Sequence, residues 1–105
     1  MYYYASVCGG NWWFHEPPIV GRIAAEAMSK ALGVSVIVEN RGGAGGTVGT
    51  QAAANAAPDG YTVTMATTST HVVGPLTVET VKYNPVKDFE HVGMIAETPY
   101  VLVIS

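Results

Sequence analysis

Charge is scarce in this chain. Lys, Arg, Asp and Glu make up 12% of its 105 residues, and the formal charge is -3. Five Lys plus Arg scattered along the chain form no basic face to neutralise a phosphate backbone or an anionic membrane, which argues against nucleic acid as a partner. Cysteine occurs once, at Cys8, so no internal disulfide can close, and no Cys or His pair has zinc-ligand spacing. Long hydrophobic runs are missing as well. None approaches the roughly 20 residues that a spanning helix requires, and no direct membrane insertion is expected. The start lacks the basic flank and long apolar stretch of a secretory signal, so no signal peptide is expected in the chain as written. A chain this short is one compact unit or a piece of one, which excludes a multidomain enzyme.

What the chain does contain is a regular alternation of helix and strand patterns. Ile19, Ile23, Ala27 and Ala31 recur every four residues beside Val20, Ala24, Met28 and Leu32, so a helix with an apolar stripe is expected over 19–32. Arg22, Glu26 and Lys30 stand opposite at i, i+4 spacing, and Gly33 is the stop. Residues 34–38 are β-branched and almost unbroken, which suits a strand buried on both faces of a parallel sheet. The run Arg41, Gly42, Gly43, Ala44, Gly45, Gly46 reaches Thr47, read as an N-cap, and opens an alanine-rich helix over 47–57. Pro58, Asp59 and Gly60 give a turn, in which aspartate bonds the local backbone and glycine supplies positive φ. A strand follows over 61–66, and two more are expected at 92–96 and 100–104. This rhythm is that of an α/β layer with right-handed crossovers and parallel strands.

The two ends stand apart. Residues 1–18, with three tyrosines, two tryptophans and the sequence His15, Glu16, Pro17, Pro18, show neither helical nor strand period. The last stretch stops while still strongly apolar, with no cap or polar tail, so truncation is expected.

Two segments carry chemistry. A glycine-rich turn at a helix N-terminus, here Gly43, Ala44, Gly45, Gly46 and Thr47, exposes backbone N–H groups at a positive dipole end and suits phosphate or carboxylate equally with a tight structural turn. Val48 stands where a dinucleotide fingerprint needs its third glycine, and the Gly-Lys-Ser/Thr ending of a P-loop is missing. The second segment, Thr67, Thr68, Ser69, Thr70 and His71, follows a strand at its carboxyl end, where open α/β sheets place ligands; an ordinary polar loop is the bland alternative. No nucleophile with an orienting acid is specified for His71 as a general base, and His15 and His91 read as incidental surface residues. Asp59, Asp88 and Glu90 read as solvated charge.

Taken in order, four motifs resemble one family. Val36, Ile37, Val38, Glu39, Asn40, Arg41, Gly42, Gly43, Ala44, Gly45, Gly46 and then Ala56, Ala57, Pro58, Asp59, Gly60, Tyr61, Thr62 are similar to the tripartite tricarboxylate transporter receptors, also called the Bug family. The stretches Thr67 to His71 and Tyr83, Asn84, Pro85, Val86, Lys87, Asp88, Phe89 look like the next two signatures, at matching separations. The resemblance implies a two-lobed periplasmic solute-binding protein, not an enzyme, that closes on a small organic carboxylate and delivers it to membrane transporter subunits. It implies an α/β fold of periplasmic-binding-protein type II, with a mostly parallel sheet flanked by helices, of which residues 19–105 form a partial first lobe. No cofactor and no metal are implied.

The resemblance also assigns ligand contacts. One loop follows the first strand, the second is Gly43, Ala44, Gly45, Gly46 and Thr47, and the third is Thr68, Ser69, Thr70 and His71. The chain departs from the family where Gly42 replaces a usual proline, and where the first strand and its Gly-Gly-x-x-Asp loop are missing before Ile19. A shift of reading frame through residues 12–16 is a testable account of the atypical start. Two other readings stay open: a nucleotide- or phosphate-binding α/β enzyme fragment, and a non-functional truncated fragment.

Overall fold

The structure, a computed structural model, describes residues 2–7, 16–97, 99 and 101–104. Its elements in chain order are β1 (Tyr2–Val7), α1 (Glu16–Leu32), β2 (Ser35–Asn40), a 3-10 turn (Ala44–Gly46), α2 (Thr47–Ala54), β3 (Thr62–Thr64), a π-helical turn (Ser69–Val73) and α3 (Gly74–Thr77). The three strands form one parallel sheet in the order β2-β1-β3.

The order corrects the expectation that no strand precedes Ile19. Tyr2–Val7 is the central strand, paired in register along all of β2 and, through Tyr4 to Ser6, with β3. A strand with a neighbour on each side need not alternate polar and apolar residues, so period carried no signal there, whereas its tyrosines and valine are good strand formers. Cys8, His15 and the residues assigned to the missing loop lie outside the described residues, as does most of the segment to which the reading-frame account applies.

The placement of β2 is a second correction. It is an edge strand with exposure alternating along it, not a strand buried on both faces. A β-branched run satisfies either environment, and only the pairing order tells them apart.

Helix α1 starts at Glu16, three residues earlier than expected, because Pro17 and Pro18 fall in its first turn, where a missing N–H costs nothing. Its buried side is not the whole apolar stripe. Gly21 and Ala25, four residues apart, are buried, Val20, Ala24 and Met28 are half-buried, and Ile19, Ile23 and Leu32 stay exposed. Small residues let the helix lie close to the sheet, and Ser29 Oγ accepts a hydrogen bond from the Val36 amide of β2 at 3.0 Å. On the far side, Lys30 Nζ donates to Glu26 at 2.8 Å, the expected i, i+4 pair, and both side chains are well exposed. Such a pair contributes little to stability.

From β1 the chain crosses to β2 in one direction and then, through α2, to β3 in the other. Crossovers in opposite directions create a topological switch point between β1 and β3. The turn before β3 forms as expected, with Asp59 accepting from the Tyr61 amide at 3.0 Å and Gly60 at φ 81.

The stretches expected as strands at 92–96 and 100–104 form no ladder among the described residues. Their apolar side chains lie open, with Val92 and Leu102 each about nine-tenths exposed. Periodicity reports a demand for burial, but a strand exists only where a partner edge meets it. The radius of gyration, 14.1 Å against the roughly 13 Å of a compact chain this long, reflects that extension.

Candidate functional site

The buried centre of the described chain is polar, and it lies at the carboxyl ends of the strands. Thr47, Thr50, Thr70 and Tyr83 are buried there, Thr50 and Thr70 completely. Each has a backbone reason.

After β2 the chain passes through four successive residues at positive φ: Gly43 at 127, Ala44 at 46, Gly45 at 69 and Gly46 at 91. Glycine reaches these values without steric cost, and Ala44 is the single non-glycine residue among them. The turn delivers the chain into α2 one residue earlier than the sequence suggested. Gly46 takes the cap position and Thr47, at φ -67, is already helical. The threonine hydroxyls therefore donate backwards instead of capping: Thr47 Oγ1 to the Ala44 carbonyl at 2.8 Å and Thr50 Oγ1 to the Gly46 carbonyl at 3.1 Å. No side chain caps the first turn of α2.

The segment after β3 was expected as a polar loop and is helical instead. Thr70 holds its start: Thr70 Oγ1 accepts from the Thr67 amide at 3.0 Å and lies 3.2 Å from Thr67 Oγ1 and 2.9 Å from His71 Nδ1. A π turn widens the helix by one residue and is found mostly at functional positions. Gly74 closes it. A Cβ there would meet the Ser69 carbonyl oxygen at 2.8 Å and Thr47 Cγ2 at 2.9 Å, so a side chain at this position would collide with both the π turn and α2.

The Tyr83 to Phe89 motif braces the same turn. Tyr83 donates its hydroxyl proton to the Thr70 carbonyl. Phe89 packs on His71 with ring centroids 5.0 Å apart, and Tyr83 meets Phe89 edge-on at 5.9 Å. Asn84 and Asp88 make the bend between them: the Asn84 side chain accepts from the Val86 and Lys87 amides, and Asp88 Oδ2 accepts from the Asn84 amide at 2.6 Å. Asp88 is exposed, as expected of a residue in a surface turn, and it holds that turn. Nearby, Gln51 of α2 accepts from the Lys82 amide at 3.0 Å. His91 is exposed as expected, with its ring centroid 6.2 Å from that of His71.

Burial and then the His91 charge hold the His71 pKa below its ordinary value of 6.5. The fold therefore favours the neutral imidazole. The resulting stability is fully present above the unfolded-state pKa and is lost as pH falls through the folded one. Thermal unfolding as a function of pH checks this: between neutrality and pH 5, wild type should lose more stability than His71→Gln, and parallel curves would contradict it.

The structure thus brings together the two segments singled out in the sequence. Gly43, Ala44, Gly45, Thr68 and Ser69 are exposed and His71 is half-exposed, while Gly46, Thr47 and Thr70 are buried beneath them. The sequence did not single out Gly74 as a contact point or Tyr83 as a brace. A Gly-Pro pair inside an apolar stretch was the available signal for the first. Among the described residues, no group of three or more His, Cys, Asp or Glu could hold a metal ion, and no helix is long and apolar enough to cross a membrane.

Parallel strands, a switch point and polar turns at the strand carboxyl ends define an α/β layer. The comparisons with known proteins agree, and the chain belongs to the tripartite tricarboxylate transporter family receptors, whose family model matches residues 20–105. It is 42% identical over 87 residues to a UPF0065 protein of Bordetella bronchiseptica, covering 83% of this chain and 26% of that protein. It is 37% identical over 88 residues to Protein BugT of Bordetella pertussis, covering 83% and 27%. A solved structure described as that of a periplasmic transporter superposes with a TM-score of 0.74 at 38% identity, covering 82% of this chain and 28% of that one. The chain therefore spans about a quarter of the length of these relatives.

Proposed function

We propose that this chain is part of a periplasmic solute-binding receptor that takes up a small organic carboxylate and hands it to the membrane subunits of a tripartite transporter. The observation that carries this reading is the meeting of the Gly43–Thr47 turn with the Thr68–His71 segment at the strand carboxyl ends. The exposed backbone of Gly43, Ala44 and Gly45 ahead of α2, the exposed hydroxyls of Thr68 and Ser69 and a neutral imidazole offer donors without a cation. A carboxylate can be held by such donors and released again, because no bond is made. Family membership supports the same reading, as does the likeness to a solved periplasmic transporter.

One wall of donors leaves a ligand partly in water, so binding to this chain alone is expected to be weak. Amide shift mapping reads weak binding directly. Titration with citrate and succinate should move the amides of Gly43, Ala44, Gly45, Thr68 and Ser69. Gly45→Pro, which forces a negative φ where the chain needs 69, and Thr68→Val, which removes a hydroxyl at nearly constant shape, should each reduce the response several-fold. Lys30→Gln, on the far side of α1, should leave it unchanged. A titration in which neither segment moves overturns the proposal, and a response to inorganic phosphate alone favours the nucleotide- or phosphate-binding alternative.

A further inference from the structure

We infer that Thr70 is a positioning residue that holds His71 in the tautomer protonated on Nε2, so that the imidazole offers an uncharged N–H donor to a carboxylate at the two turns. The second half of this inference rests on the binding reading above.

The first half follows from counting protons and lone pairs. A threonine hydroxyl has one proton and two lone pairs. Thr70 Oγ1 accepts from the Thr67 amide at 3.0 Å, and Thr67 Oγ1, at 3.2 Å, has its own proton to place. Thr67 Oγ1 in turn accepts from the Thr70 amide at 3.3 Å, so the two hydroxyls are locked face to face. With both lone pairs of Thr70 Oγ1 engaged, its proton has two acceptors in range: the Thr67 carbonyl at 3.2 Å and His71 Nδ1 at 2.9 Å. The carbonyl already accepts from the His71 amide at 2.9 Å and shares the Thr70 amide, at 3.2 Å, with Thr67 Oγ1, so the Thr70 hydroxyl would be its third donor. His71 Nδ1 is the nearer acceptor and the free one. An imidazole that accepts at Nδ1 carries its proton on Nε2.

The opposite tautomer leaves the count open. If Nδ1–H donated to Thr70 Oγ1, the Thr70 proton would turn to Thr67 Oγ1, and the Thr67 proton would have no acceptor inside the cluster. Thr70 is completely buried and cannot turn to water, while half-buried Thr67 would have to send its proton out of the cluster. The Tyr83 hydroxyl on the Thr70 carbonyl and the Phe89 ring against the imidazole restrict the same two residues from the other side.

The test is nitrogen NMR of the imidazole in the full chain near neutral pH, without ligand. Wild type and Thr70→Ser, which keeps the hydroxyl, should both show Nδ1 as an acceptor and Nε2 protonated. Thr70→Val should raise the fraction protonated on Nδ1. Protonation on Nδ1 in wild type, or an unchanged tautomer in a folded Thr70→Val, overturns the inference. Should Thr70→Val not fold, wild type and Thr70→Ser decide it.

A citrate titration separates this from the binding reading. His71→Gln keeps a donor near the Nε2 position and should bind citrate close to wild type, whereas His71→Leu should lose about tenfold. Equal binding by His71→Leu and wild type overturns the donor role. An Nε2–H tautomer with no citrate response in any variant leaves the Thr70 assignment standing and overturns the binding reading.

Discussion

Tyr83→Ala is expected to cost about 3–5 kcal/mol of folding stability, as removal of a large buried aromatic generally does. For a domain whose total stability is on the order of 5–15 kcal/mol, that loss is decisive. The ring is 5% exposed, packs against Phe89 and His71, and places its hydroxyl on the Thr70 carbonyl. Tyr83→Phe keeps the packing and drops the donor, which leaves that buried carbonyl short of a partner, so about 1–3 kcal/mol is expected. Denaturant unfolding of the two variants separates the contributions. If Phe and Ala at 83 cost the same, the ring is not the brace, and the π turn is held by other contacts.

Gly74→Ala should destabilise by about 1–3 kcal/mol through overpacking, although alanine is otherwise the better helix former. The added Cβ would meet the Ser69 carbonyl oxygen at 2.8 Å, and backbone cannot swing aside as a side chain can. It would also meet Thr47 Cγ2 at 2.9 Å, forcing the π turn away from α2. Removing that methyl with Thr47→Ser should recover part of the loss, so the two changes should combine non-additively. A folded Gly74→Ala of wild-type stability would show that the two turns are not in the close contact described. Thermal midpoints answer this readily, since each kcal/mol moves the midpoint of a chain this size by roughly 4–8 °C.

Both predictions concern residues that support the site, and these were the least legible features of the sequence. The glycine turn was legible because glycines in series before an alanine-rich helix mark backbone that takes positive φ, which other residues rarely reach. The Thr67 to His71 segment was legible as polar residues following a strand. Its helical form was not, because Thr, Ser and His have no strong helical preference and the π turn depends on Thr70 folding back onto Thr67. The packing of Phe89 on His71 was hidden for a related reason: it arises from a bend held by Asn84 and Asp88, and nothing in the immediate neighbours of Phe89 announces it.

By itself the sequence determined the class of the chain: an α/β layer with helices expected over 19–32 and 47–57, found at Glu16–Leu32 and Thr47–Ala54, a turn at Asp59 and Gly60, and two polar segments at strand ends. These follow from side-chain period and local backbone preference, which act over a few residues. Tertiary structure decided the pairing order. Tyr2–Val7 became the centre of the sheet, β2 its edge, and the apolar stretches near 92–96 and 100–104 remained without a ladder among the described residues. It also chose which half of the α1 stripe is buried and brought Thr47, Thr70, Gly74 and Tyr83 to one point. The physical reason is that strand pairing and close packing are contacts between residues far apart in the chain. Hydrophobic period states that a residue must be covered, and only the folded arrangement supplies what covers it.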